Sequence, residues 1–278
     1  IYDEYSDIFK HVVINNIEDL EQIKKSKYMQ SYTPEAFINF DKQKKYVVIG
    51  TPCQIHGLRK WIQIKKRDEQ FILIDFFCHG TPSFLLWKKF TDFTLRKLRI
   101  KKIKNIDFRF KKEGIYTPSN VIRITNEKNK HFICDGRTID DAFYKFFFSR
   151  SCLNEACHDC LFRLDYCYSD IRIGDFWGKK YKKSKNGVSI CAINTTKGKH
   201  CFENIEQHIH SENCSFEEFS QSQPIRFHLP SENRTEILSL LKTEKLDFIY
   251  KKYFRPPFLE RIRKRFKIRT KIAKMIGK

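Results

Sequence analysis

The chain has 278 residues, 41% of them hydrophobic, with 54 Lys and Arg against 33 Asp and Glu for a net charge of +21. That length and apolar content bury one large core or two small ones, which excludes a disordered chain, and no apolar run approaches a membrane span, so a soluble, cytoplasmic protein is the expectation. From Arg255 onward ten cations face the single acid Glu260, leaving +9 on the tail and +12 on the body. A lysine-rich solvated surface accounts for the body, which would also attract an anionic cofactor or acidic redox partner; nucleic acid is not favoured.

In chain order, IEDLEQIKKSK reads as a helix, and EAFINF as a second one after Thr33-Pro34. YVVIG is a short apolar strand ended by Gly50, and TPCQIHGLRKWI opens a helix with Pro52 in its first turn. Cys53 therefore stands at the carboxyl end of a strand, where free helix amides favour anions. The pattern repeats: FILIDFF is a strand ended by Cys78-His79-Gly80, and Thr81-Pro82-Ser83 starts a helix through LLWKKFTDFTLRKL. Two such units predict a parallel pair with both turns at one sheet edge, the usual ligand edge of an α/β sheet, so Cys53, Cys78 and His79 are candidates for one site. Neither turn carries GxGxxG or GxxxxGKS, so the chain makes no Rossmann or P-loop claim.

Residues 100–137 alternate apolar and polar side chains and predict an antiparallel meander, with Asn126 to Lys130 as a turn and Arg109 and Lys111 at the end of its first strand. The segment TIDDAFYKFFFSR follows as a helix capped by Thr138, with Asp141 three residues on. It leads into SCLNEACHDCLFRLDYC, which packs Cys152, Cys157, Cys160 and Cys167 into sixteen residues. The spacing Cys152-x4-Cys157-x2-Cys160 fits an iron–sulfur loop, and zinc is the competitor, although no second CxxC or CxxH follows. Ten cysteines in a chain of this length, beside metal-type spacing, read as reduced cytosolic thiols. SDIRIGDFWG and VSICAIN are then strands, and TTKGKHCFENIEQHI is a helix. A helix through TEILSLLKTEKLDFIYKKYF ends at Arg255-Pro256-Pro257, and the tail beyond it has apolar residues at helical spacing that suit an anionic membrane surface. On residues alone, an iron–sulfur protein and a basic, zinc-stabilised protein contacting nucleic acid or anionic membrane both stand.

The blocks SKYMQS, GTPCQIHGLRKWI, LIDFFCHGTPS, FRFKK, SCLNEACHDCLFR and SDIRIGDFWG followed by GVSICAINTTKG resemble, in the same order over about residues 20–200, the C-terminal domain family of the coenzyme F420 hydrogenase/dehydrogenase beta subunit. The resemblance implies a mixed α/β (α+β) non-Rossmann flavin-binding fold that holds FAD beside a 4Fe-4S cluster. By family motif the cluster ligands are Cys53, Cys152, Cys157 and Cys160, with Cys78 in reserve and Cys167 as the local alternative. The Cys-x4-Cys-x2-Cys spacing by itself is typical of two-iron ferredoxins, so the four irons are the family's implication. Lys27, Thr51, Gln54, Arg109 and Lys111 are flavin-site candidates by their place in family blocks. Asp170, Gly174, Asp175 and Trp177 are candidates on SDIRIGDFWG, where Gly174 permits close backbone approach and Trp177 suits a planar ring.

Relatives act on coenzyme F420, on a chlorophyll derivative, or stand among bacterial surface-polysaccharide enzymes. Many carry a ferredoxin-like domain not found in this sequence, which leaves either a truncated chain or a single-cluster protein whose electrons are expected from a separate donor protein or ferredoxin-like subunit, for an acceptor the sequence does not name. The expected organisation is an oxidoreductase domain over residues 1–210, a helical extension over 211–254 and a basic tail over 255–278, with peripheral attachment at the inner membrane surface through that tail.

Overall fold

The computed structural model describes residues 1–111, 121–134, 142–163, 167–182, 184, 186–223 and 229–254. Short strands β1 (Tyr2–Asp3) and β2 (Ile8–Lys10) pair antiparallel, and β2 runs parallel to β3 (Ser31–Tyr32). Between them the expected long helix is reduced to a 3-10 turn, Ile17–Asp19, and one turn of α-helix, α1 (Leu20–Ile23). Lys25, with φ of 74°, takes a left-handed conformation that no helix continues through. After α2 (Pro34–Ile38) come β4 (Tyr46–Gly50), α3 (Pro52–Lys65), β5 (Phe71–Phe76) and α4 (Phe84–Leu98). The meander is β6 (Ile103–Phe108), β7 (Ile122–Asn126) and β8 (His131–Cys134), followed by α5 (Ala142–Phe148). The chain goes on through β9 (Ile171–Asp175), β10 (Ser189–Ile193), α6 (Thr196–Glu206), α7 (Phe216–Ser222), α8 (Arg234–Thr243) and α9 (Leu246–Tyr253). The Thr138–Asp141 cap and the tail from Arg255 lie outside the described residues.

The fold is mixed α/β. β4, β5 and β9 run parallel, β10 closes that sheet antiparallel in the order β10-β9-β5-β4, and β6, β7 and β8 form the expected antiparallel meander. Strand alternation gives β4 two unlike faces. Val48 and Gly50 are buried while Val47 and Ile49 are exposed. Ile55, Leu58 and Ile62 of α3 pack with Val48, Leu73 and Phe71 in one hydrophobic cluster, and Pro52 occupies the first turn, where its missing N–H costs no hydrogen bond.

The larger core gathers Trp87, Phe90 and Phe93 of α4, Phe143, Phe146 and Phe147 of α5, and Ile106, Phe108, Ile122 and Ile124 of the meander. Ser83 caps α4, its hydroxyl accepting the Leu86 N–H at 3.3 Å. The segment expected as one helix after residue 234 is two, because Glu244 is extended (φ −95°, ψ 160°). That break lets Ile237 and Leu241 of α8, and Leu246 and Ile249 of α9, enter the same cluster as the aromatic residues of α4 and α5. Gly198 is required in α6, since a Cβ there would meet the Asp170 carbonyl oxygen at 2.2 Å. Among the described residues no helix is long and apolar enough to cross a membrane.

Candidate functional site

The two parallel units deliver their turns to one edge of the sheet. Cys53 lies exposed in the first turn of α3, its sulfur 3.2 Å from the Thr51 hydroxyl. The turn after β5 bends at Gly80, whose φ of +119° is a region that L side chains rarely adopt. The Gly80 N–H donates to the Cys78 sulfur at 3.4 Å.

The cysteine loop zips antiparallel onto this turn. The Ser83 N–H donates to Cys152 O and the Asn154 N–H to Thr81 O, both at 2.8 Å, around a Pro82–Leu153 bridge, and the Thr81 N–H donates to the Cys157 sulfur at 3.4 Å. A Cβ on Gly80 would stand 3.1 Å from Cys157 Cβ and 3.2 Å from Leu153 Cδ1, so the loop approaches because residue 80 has none. From the other side Phe162 stacks on His56 of α3 at 4.6 Å and Tyr168 packs on it edge-on at 4.1 Å, which draws the loop over the helix turn that bears Cys53.

This pairing sorts the cysteines. Cys157 lies beside Gly80 and Thr81, while Cys152 is set beside Ser83, inside the large core and fully buried. Burial pushes the Cys78 thiol up to about 12, and the neighbouring thiols of Cys53 and Cys157 add to that rise, against the Gly80 N–H and Arg163. Burial also pushes the Cys152 thiol up to about 11, with its sulfur 3.6 Å from the Ser151 hydroxyl. Cys160 stays half-exposed in the loop, and Cys167 accepts from Asn194 Nδ2 at 2.8 Å, beside Ser169. Of the residues implied as ligands, Cys53 and Cys157 thus act on the charge of Cys78, Cys160 stays in the half-exposed loop, and Cys152 lies buried in the large core. Among the described residues no three His, Cys, Asp or Glu side chains already form a group that could hold a metal ion. The donor chemistry nonetheless suits an iron–sulfur site: Cys53 and Cys157 stand near enough to Cys78 to act on its charge, and a thiolate at the buried Cys78 is unfavourable unless a cation accompanies it. Arg163 adds a buried positive charge, donating to the carbonyls of Cys157 (3.0 Å) and His79 (3.3 Å), and its buried Nε has no partner among the described residues.

A cavity of about 1600 Å³ opens in front of this edge. Lys27, Thr51, Gln54, Arg109, Lys111, Gly174, Asp175 and Trp177 all line it, together with Cys78, His79 and Arg163. Arg109, left-handed with φ of 50°, is ion-paired with Asp175 and sits 5.6 Å from the centre of the Trp177 ring. Lys27 Nζ is held by the carbonyls of Ile23 (3.4 Å), Lys24 (2.5 Å) and Lys25 (3.2 Å), and burial lowers its pKa. Gln54 accepts the Thr51 N–H at 3.1 Å and donates to Ser31 O at 3.1 Å, which fixes β3 against the start of α3. A Cβ on Gly174 would meet Phe77 Cδ2 at 2.6 Å and Gln223 Nε2 at 3.2 Å, so this glycine admits neighbouring side chains of its own chain. The cavity has more than the room a flavin nucleotide would need, and offers the cations and the exposed indole that such a group would use.

Asp170 lies elsewhere. It accepts from Arg59 Nη2 at 2.9 Å, from the Leu73 N–H at 2.7 Å and from Thr195 Oγ1 at 2.8 Å, and so braces α3, β5 and the start of α6. Sequence reasoning missed Lys25, Arg123 and Arg163, which also line the cavity. Lys25 and Arg123 converge through Asp107, at 3.3 Å and 2.7 Å, across segments about a hundred residues apart, a pairing that no local spacing signals.

A family model that describes the C terminus of the beta subunit of coenzyme F420 hydrogenase/dehydrogenase matches residues 43–218. No curated protein matches the chain.

Proposed function

Since the chain belongs to the C-terminal family of the coenzyme F420 hydrogenase/dehydrogenase beta subunit, a redox family, we propose that it is the FAD- and 4Fe-4S-dependent component of an electron-transfer oxidoreductase. The observation that carries this reading is the cavity itself: eight residues proposed for the flavin line one space together with Cys78, whose charge feels Cys53 and Cys157. When bound, the cluster supplies single-electron transfer and the flavin links it to two-electron chemistry.

The work of the chain is to hold and orient these groups. Cys53, Cys78 and Cys157, with Cys160 from the same loop, are the proposed cluster ligands, and Cys152 is assigned to the core instead. Arg163 offsets negative charge beside them at the cavity wall. Lys25, Lys27, Arg109, Lys111 and Arg123 line the cavity as the cations proposed to face a pyrophosphate, those paired with Asp107 and Asp175 by exchanging partners, and Trp177, with Arg109 near its ring, is proposed to flank an aromatic system. A separate electron-donor protein is the proposed partner, the cytoplasm the proposed location, and a surface-polysaccharide precursor route the proposed setting, with the basic tail touching the anionic inner face of the membrane.

The test is purification without oxygen. The expected product is brown, with about four iron per chain as a cubane cluster requires and one FAD released on denaturation. Colourless protein carrying zinc, or protein that takes up no flavin after reconstitution, would overturn the reading.

A further inference from the structure

The cavity is larger than one cofactor requires. Small-molecule sites run from roughly 300 to 1,000 Å³, against about 1600 Å³ here. Part of its lining follows one strand. The cavity is lined continuously from Tyr46 to Thr51, the whole length of the edge strand β4. At about 3.3 Å per residue this arm runs roughly 17 Å back from the thiols, which lie past the carboxyl ends of β4 and β5.

The arm is apolar. Val47 and Ile49, on the face of β4 away from α3, are 60% and 45% exposed, and no neighbouring strand among the described residues covers that edge. The His11 ring, whose Nε2 lies 2.9 Å from Ile49 O, brings Val12 and Val13 alongside, both exposed, and packs edge-on against Phe37 at 5.4 Å. Phosphate groups find little here: Lys10 is tied to Asp3 at 2.7 Å, and Lys45 stands just before β4, at the far end. The other lining cations come from residues 25–27, from the meander and from Arg163. An exposed apolar trough of this length, open to a polar site at one end, marks a ligand groove.

We infer that the arm along β4 binds the elongated, uncharged apolar part of a lipid-like substrate, whose reacting end reaches the cofactor site at the carboxyl edge of the sheet. The inference rests on the redox reading above for its second half only.

The experiment uses the full chain, with and without anaerobic reconstitution, and the neutral fluorophore N-phenyl-1-naphthylamine, displaced by dodecanol. Saturable binding of one probe per chain is expected, in both flavin-loaded and flavin-free protein. Val47→Asp and Ile49→Asp should each weaken dodecanol about tenfold or more, because a carboxylate in an apolar groove goes unpaired, while Val47→Leu should not. Flavin content and circular-dichroism melting should be unchanged in all three, since these side chains are exposed. Equal dodecanol affinity in the aspartate variants, absence of saturable probe binding, or one-for-one displacement of the probe by FAD would overturn the inference. Variant-sensitive probe binding in a chain that takes up no FAD would uphold the groove and sink the flavin reading; FAD uptake without probe binding would do the reverse.

Discussion

Arg172 of β9 and Asp75 of β5, direct neighbours in register, form a two-pronged buried ion pair: Nε and Nη2 each lie 2.7 Å from a carboxylate oxygen, and the side chains are 4% and 1% exposed. The same guanidinium reaches the carbonyls of Arg163 (3.0 Å) and Phe162 (3.2 Å), so one arginine ties the end of the cysteine loop to the sheet. Removing one member of a buried pair leaves the other charged and unpaired, at a cost of about 3–5 kcal/mol. Arg172→Met should therefore lower the denaturation midpoint sharply, and Arg172→Lys, which lacks the fork, should recover only part of it. Iron content should fall alongside, and the Arg172→Met/Asp75→Leu double variant should be more stable than Arg172→Met alone.

The position of the thiols predicts a specific pattern of iron loss. Cys53→Ser, Cys78→Ser and Cys157→Ser should each lose iron, because serine is a poor donor where sulfur binds the metal. Cys152→Ser should keep iron while losing stability, since it puts a hydroxyl into an apolar core. Cys191→Ser, at an exposed site, should change neither. Iron counts and melting curves on the five variants decide it, and full iron in Cys78→Ser would return the ligand role to Cys152.

Gly80→Ala combines a left-handed backbone with a crowded Cβ. The strain is about 1–3 kcal/mol for a side chain held in such a conformation, and the methyl group must push Cys157 and Leu153 back from 3.1 and 3.2 Å. Lower stability with iron loss is expected. Gly57→Ala is the control, since a Cβ there meets nothing within 4 Å.

His11 gives the fold a dependence on pH. Burial lowers its pKa from the ordinary 6.5, against the opposing hydrogen bond to Ile49 O, and Ser31 Oγ lies 2.8 Å from the other ring nitrogen. The unfolded chain takes up a proton near 6.5 and the folded one only at lower pH. The neutral ring's contribution is therefore present above about 6.5 and lost as pH falls from there toward the folded value. His11→Gln should flatten that part of the stability profile, measured by urea unfolding between about pH 7 and 5.

Asp170→Asn separates a brace from a site residue. Its carboxylate holds Arg59, the Leu73 N–H and Thr195 from a buried position. The amide should therefore destabilise the fold by less than the roughly 3–5 kcal/mol of a fully broken buried pair, because Arg59 keeps Asp68 at 3.2 Å. Flavin affinity in the folded fraction should be unchanged. Asp175→Asn, which loosens Arg109 at the cavity wall, should weaken flavin with little loss of stability.

The units β4-α3 and β5-α4, the meander and the turns that carry Cys53 and Cys78 were legible in the sequence, because apolar periodicity, a proline at N1 and a serine cap act within a few residues. The convergence of both turns at one edge followed from those units, since two parallel strands in one sheet place their carboxyl ends together. Tertiary structure alone decided that Cys78 stands beside Cys157 while Cys152 enters the core, because this depends on how the loop pairs with Thr81–Ser83 some seventy residues earlier. It alone turned Asp170 into a brace and brought Lys25, Arg123 and Arg163 to the cavity, since long-range charge pairing and burial leave no periodic mark on the chain.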